Sequence, residues 1–170
     1  AGFIPKDVWV QDMKTGGGRI VGEACHFIDL MQFFSGSKVI AVVMSGLGIR
    51  PEENTDNAII TLRFENGAQG VIHYFSNGSK SYPKERIELY TQGRTLVIDN
   101  FRKMSGYGFG RFSSMRSGLD KGHKTQFKTL IDNIKTTGQP LIPFEDIINT
   151  TQASFGALES LRTGTWVQIQ

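Results

Sequence analysis

The sequence predicts an α+β fold, in which antiparallel hairpins carry their helices on one face. Three observations predict it. Two pairs of strand-like runs meet at two-residue turns, Asn66-Gly67 and Gln92-Gly93, the spacing of tight hairpins. A helical pattern precedes them, and two more follow, each stopping at a glycine. No alternation of strand and helix joins the hairpins, so a parallel, doubly wound sheet is excluded.

Taken in order, residues 5–11 (PKDVWVQ) read as a short strand leading to three glycines. A helix follows from about residue 18 to 34, closed by Ser35-Gly36. Residues 38–48 (KVIAVVMSGLG) form a strongly apolar strand. Residues 57–65 alternate Ala58, Ile60, Leu62 and Phe64 against polar neighbours, and 68–76 return after the turn. A second hairpin spans 86–91 and 95–100. Residues 101–118 mix Gly and Ser with aromatics and arginines and read as a long exposed loop. Residues 120–138 place Phe127, Leu130, Ile131 and Ile134 at helical spacing, and 144–164 form the last helix.

The 170 residues suit one domain with a core of its own. No apolar run approaches the ~18 residues that span a bilayer, so no membrane partner is expected. The N-terminus AGFIPKDVWV lacks a secretion signal and an initiator Met, as expected of a piece cut from a longer protein. A single cysteine, Cys25, precludes an internal disulfide and points to the cytoplasm. Net charge is +3, too small to imply a nucleic-acid partner by itself. The basic residues between Arg94 and Lys128 read as a solvated surface. The stretch SGYGFGRF (105–112) echoes an RNA-binding strand motif but lacks its basic first position and the upstream helix, so no nucleic acid is expected. Neither a second cysteine nor a spaced histidine pair supports a metal site.

Chemistry concentrates in GGGRIVGEACHFID (16–29). The glycines approach a dinucleotide-binding pattern, but no acidic residue stands ~20 positions on to hold a ribose. They are expected to turn the backbone sharply instead. On the helix, Ile20, Ala24, Phe27, Met31 and Phe34 form a core stripe at 100° per residue. Arg19, Gly22, Glu23, His26 and Asp29 lie opposite, and beyond them Leu30 and Phe33 bury the second half all round. Glycine in a helix costs about 1 kcal/mol relative to alanine, and Gly22 beside a histidine suggests close approach by another group. The alternative is a plain solvated face.

This stretch, with the tail 117–164, resembles the C-terminal domain of the glucose–fructose oxidoreductase / inositol dehydrogenase / MocA family over nearly the whole chain. The resemblance implies an open, largely antiparallel mixed sheet that supplies substrate contacts and an oligomer interface. It also implies an N-terminal Rossmann domain, absent here, that binds NAD or NADP and carries a Glu-Lys-Pro lysine. The family's catalytic histidine corresponds to His26. Its common aspartate, four residues earlier, corresponds to Gly22, and the nearest carboxylate is Glu23.

The implied reaction is oxidation of a sugar, sugar-nucleotide or cyclitol hydroxyl. His26 would take the proton, while Arg19, Glu23 and Asp29 contact substrate. No cofactor-binding residue is expected in this chain, and the fragment alone is expected to be inactive. A non-catalytic dimerisation or scaffold module is the other reading. Three helices can shield one sheet face only, so the other, expected to carry Ile59, Ile72 and Tyr74, would be buried in a homodimer or tetramer.

Overall fold

The computed structural model describes residues 2–170. Among the described residues the fold is α+β, with eight strands in two antiparallel four-stranded sheets and three α-helices. The chain divides into two units, one of residues 2–77 with 142–170, the other of residues 78–141.

In the first unit the sheet order is β3-β2-β1-β8. Strand β1 (Val39–Gly46) pairs with β2 (Asn57–Phe64), which turns at Gly67 into β3 (Gln69–Phe75). Gly67 has φ 86°, the left-handed conformation this turn demands. The short β8 (Val167–Gln168) pairs along the other side of β1. Helix α1 (Cys25–Ser35) stops at Gly36, whose φ of 61° lets its N–H reach the Gln32 carbonyl. Helix α3 (Phe144–Thr163) lies against β1. Small residues permit that approach. A Cβ on Gly156 would come within 2.7 Å of Ile169 and 3.0 Å of Val42.

Polar ties fix the register of α3 on β1. The buried Asn149 accepts from Val39 N–H at 2.8 Å and donates to the Val39 carbonyl at 2.9 Å. Ser160 accepts from Met44 N–H at 3.0 Å and donates to the Thr165 carbonyl at 2.7 Å. Between these ties lies an apolar core of Ile20, Ile28, Val42, Ile60, Leu62 and Ala157 with their neighbours.

The alternation of β2 is as expected, but the predicted outer face needs correction. Ile72 and Tyr74 stand opposite Ile60 and Ala58 across the ladder and share their core side, with exposures of 5% and 2%. The outer face carries Thr61, Arg63, Val71 and His73 instead. Ile59, opposite His73, does lie there. Alternation separates two faces without saying which one a helix will cover.

The second unit contains β4 (Arg86–Thr91), β5 (Arg94–Asp99), β6 (Lys103–Tyr107) and β7 (Ser114–Arg116), in that order across the sheet, and α2 (His123–Thr136). The Gln92-Gly93 turn has φ 49° and 72°, as a primed hairpin turn requires. Where a long loop was expected, β6 and β7 form a third hairpin. Its glycines hid it. Gly106 lies beneath Phe109 and Phe112, close enough that a Cβ would meet Phe112 at 2.6 Å. These two rings, from the connection between the two strands, cover β6 and meet edge to face at 6.1 Å.

The expected strand at 5–11 is absent, and a single 3₁₀ turn, Trp9–Gln11, stands there. Asp12 then folds the chain back, accepting from Lys14 N–H and the Thr15 hydroxyl. No described helix is long and apolar enough to cross a membrane.

Asn149→Ala would strand a buried N–H and a buried carbonyl at the start of β1. We expect a loss of about 2–4 kcal/mol from two unsatisfied groups, read as a lower urea midpoint with unchanged slope.

Candidate functional site

The three glycines serve the chain's own packing. Gly17 and Gly18 have φ 71° and 75°. A Cβ on Gly16 would collide with the Trp9 carbonyl, and one on Gly18 with the Met13 sulfur at 2.8 Å. Nothing here resembles a phosphate cradle, so these residues do not fit a dinucleotide.

The helix that follows is not uniformly α. Ile20–Ala24 form a π-helical turn, in which Cys25 N–H bonds the Ile20 carbonyl five residues back. Such turns are rare and concentrate at functional sites. The extra residue shifts the helix's phase, so the buried positions run Ile20, Ala24, Ile28 and Gln32. Phe27 and Met31 pack beside that stripe. Phe33 was expected to be buried, but the shift leaves it 77% exposed.

The same shift carries Arg19 inward. Its side chain is 2% exposed. One Nη donates to the Gly2 carbonyl at 2.7 Å and lies 3.5 Å from Asp56 Oδ2. The other donates to Glu23 Oε2 at 2.6 Å. The guanidinium also lies 5.5 Å from the centre of the Tyr74 ring, within cation–π range. Arg19 was expected on the substrate face, and the structure places it behind that face.

Glu23, with 42% of its side chain exposed, is the centre of the cluster. Its Oε2 accepts from Arg19 and also from the Tyr74 hydroxyl at 2.7 Å. Partial burial opposes its ionisation, but those hydrogen bonds and the Arg19 charge outweigh it and hold the carboxyl below its ordinary value. Burial and the Glu23 carboxylate push the Tyr74 phenol up, which keeps it a donor.

His26 follows Glu23 by three residues, a spacing that makes them neighbours on a helix surface. His26, Asp29 and Gly22 are all exposed. Among the described residues, neither His26 nor Asp29 has a side-chain hydrogen-bond partner. The space before Gly22 is open, since a Cβ there would meet only the Gly16 carbonyl at 4.0 Å. No internal packing demands the glycine. Burial pushes the Cys25 thiol up, so it is no nucleophile. No group of metal-ligating side chains occurs among the described residues.

Sequence reasoning missed two contributors. Tyr74 comes from β3, 51 residues from Glu23, and no local signal links them. Asp56, just before β2, holds Arg19 from the other side and accepts from Asn57 Nδ2 at 2.6 Å. Asp56 also borders a cleft of about 500 Å³ with Gln11, Arg50, Asn57 and Ser76 in its walls.

Comparison with known proteins gives this geometry a setting. The myo-inositol 2-dehydrogenase of Thermotoga maritima is 24% identical over 93% of this chain and 51% of its own length. An NAD binding oxidoreductase from Klebsiella pneumoniae superposes with a TM-score of 0.77 at 17% identity, over 96% of this chain and 54% of its own. Aldose-aldose oxidoreductase from Caulobacter crescentus, complexed with glycerol, gives 0.77 at 16%, over 98% and 52%. This chain thus spans about half the length of each. The profile of the GFO/IDH/MocA C-terminal domain matches residues 2–97, and with the α+β fold shared across these structures, the chain belongs to the GFO/IDH/MocA family.

Proposed function

We propose that this chain is the substrate-side domain of a nicotinamide-dependent oxidoreductase acting on a hydroxyl of a sugar or cyclitol. The observation that supports it most is the exposed His26 beside an open Gly22, one helical turn from a carboxylate held ionised. An imidazole there can take a hydroxyl proton as the carbinol carbon gives up hydride. Glu23 and Asp29 meet neighbouring hydroxyls, and Arg19 acts from behind by fixing Glu23. The relatives' names, a myo-inositol dehydrogenase and an aldose oxidoreductase, favour such substrates.

The hydride acceptor is NAD or NADP. Because the glycine stretch does not fit a dinucleotide, we assign its binding to a further domain that corresponds to the other half of the relatives. This chain's part is to position the substrate and to move the proton. We also assign homo-oligomer contacts to the outer face of the first sheet. There Ile59, Val71 and His73 share the face with Arg63, whose guanidinium stacks 4.1 Å from the Trp166 ring centre.

His26→Ala in the complete enzyme is expected to lower kcat by about 10²–10⁴-fold, the usual contribution of an acid–base group, with little change in unfolding temperature. Near-full turnover by that variant would refute the assignment.

Gly22→Ala separates fold from function. It is expected to raise stability by up to about 1 kcal/mol and to lower kcat/KM, because the methyl enters the open space beside His26. A gain in stability with unchanged kinetics would remove Gly22 from the site.

Light scattering of the 170-residue chain is expected to give a dimer mass, and Val71→Asp a monomer with an unaltered melting curve. A monomeric parent chain would refute the sheet-face assignment.

A further inference from the structure

Glu23 uses its two oxygens unequally. Oε2 accepts both internal hydrogen bonds, from Arg19 on the π turn and from Tyr74 on β3. Among the described residues nothing donates to Oε1, although an ionised carboxylate offers about four acceptor sites. Two donors from separate elements, meeting at one oxygen, fix the plane of the carboxylate. Rotation about its last bond would break both at once. Oε1 is therefore presented outward in one orientation.

The charges around it restrict what can come near. Arg19 is buried, its Nη groups shared among Gly2, Glu23 and Asp56 and its Nε enclosed without a partner among the described residues, so it exposes no donor to a ligand anion. The exposed neighbours on this helix face are Gly22, His26 and Asp29. His26 must be neutral to accept a proton, and Asp29 is a second acid. No lysine or arginine of the helix reaches this face. An approaching carboxylate or phosphate would meet like charge, whereas a hydroxyl would gain a charge-assisted hydrogen bond.

We propose that Tyr74 and Arg19 are positioning residues that clamp Glu23 so that its free oxygen selects an uncharged hydroxyl, making this domain a reader of neutral polyols rather than sugar acids or sugar phosphates. The proposal rests on the oxidoreductase reading and narrows its substrate class. Tyr74 departs from a core tyrosine that merely satisfies its own hydroxyl, because its bond sets the direction and the ionisation of a group that meets substrate.

Two measurements test it. In the 170-residue chain, carbon NMR follows the Glu23 carboxyl through a pH titration, in the parent and in Tyr74→Phe. The folded-state pKa of Glu23 is depressed, so its stabilisation is full above the unfolded value and lost as pH falls through the folded one. Tyr74→Phe removes a donor to the charged form, so the midpoint should move up. An unmoved midpoint overturns the clamp. Added myo-inositol should then perturb the Glu23 and His26 signals more than D-glucose 6-phosphate does. A larger response to the phosphate, or none to either, overturns the substrate class.

In the complete enzyme, Tyr74→Phe should raise KM for myo-inositol about tenfold, the equivalent of one good hydrogen bond, with kcat changed far less. Glu23→Gln, which removes the charge, should narrow the preference for myo-inositol over D-glucuronate. A stability loss with both constants unmoved leaves Tyr74 a core residue only and refutes its positioning role. Preferred turnover of glucuronate refutes the selection while leaving the dehydrogenase intact. Absent turnover with any sugar, beside the NMR response to myo-inositol, refutes the oxidoreductase reading and leaves the clamp standing.

Discussion

A buried guanidinium has few permitted surroundings. Removing Arg19 from water costs several kcal/mol unless acceptors replace the solvent, and the structure gathers them from distant parts of the chain. Gly2 comes from the N-terminal segment, Asp56 from the start of β2, Glu23 from the π turn, and the Tyr74 ring from β3. Its Nε is buried without an acceptor among the described residues, so the remaining bonds carry the whole compensation. Glu23 is consequently not a surface carboxylate free to choose its rotamer. Its place is dictated by a charge the fold has to neutralise, and the candidate site inherits its order from that requirement.

The position of the carboxylate bears on a departure noted in the sequence. The family resemblance expects an acid at position 22, four residues before the histidine, and finds glycine. The nearest acid in the structure is Glu23, on a longer side chain that Arg19 and Tyr74 hold at Oε2. Gly22 leaves the intervening space empty.

Much of the fold was legible because it rests on local stereochemistry. Asn66-Gly67 and Gln92-Gly93 announce hairpins since those turns need positive φ, and Gly36, Gly138 and Gly164 mark helix ends for the same reason. The β6–β7 hairpin was hidden because Gly106 makes room for aromatic rings, leaving no apolar alternation to read. Arg19 was misplaced because a wheel at 100° per residue assumes an unbroken α-helix, and one π turn between residues 20 and 24 changes which side faces inward. Ile72 and Tyr74 failed differently. Period two sorts side chains into two sets, and only the helices that pack on the sheet, α3 on β1 and α1 on β3, decide which set is inside. His26, Glu23 and Asp29 were visible as types on a face, whereas the Glu23–Tyr74 bond belongs to tertiary structure alone.

The order of the chain has a consequence for its synthesis. Strands β1 to β3 emerge from the ribosome early, yet the helix that lies against β1 is encoded beyond the whole of residues 78–141. At the usual ~5–20 residues per second, Val42 and Met44 on β1 remain without their α3 cover for several seconds after β3 is complete. Helix α1 can shelter part of that face, but the Asn149 and Ser160 ties close only when the last thirty or so residues arrive. The nascent chain is thus most vulnerable to misassociation midway, while the intervening hairpins are still being translated.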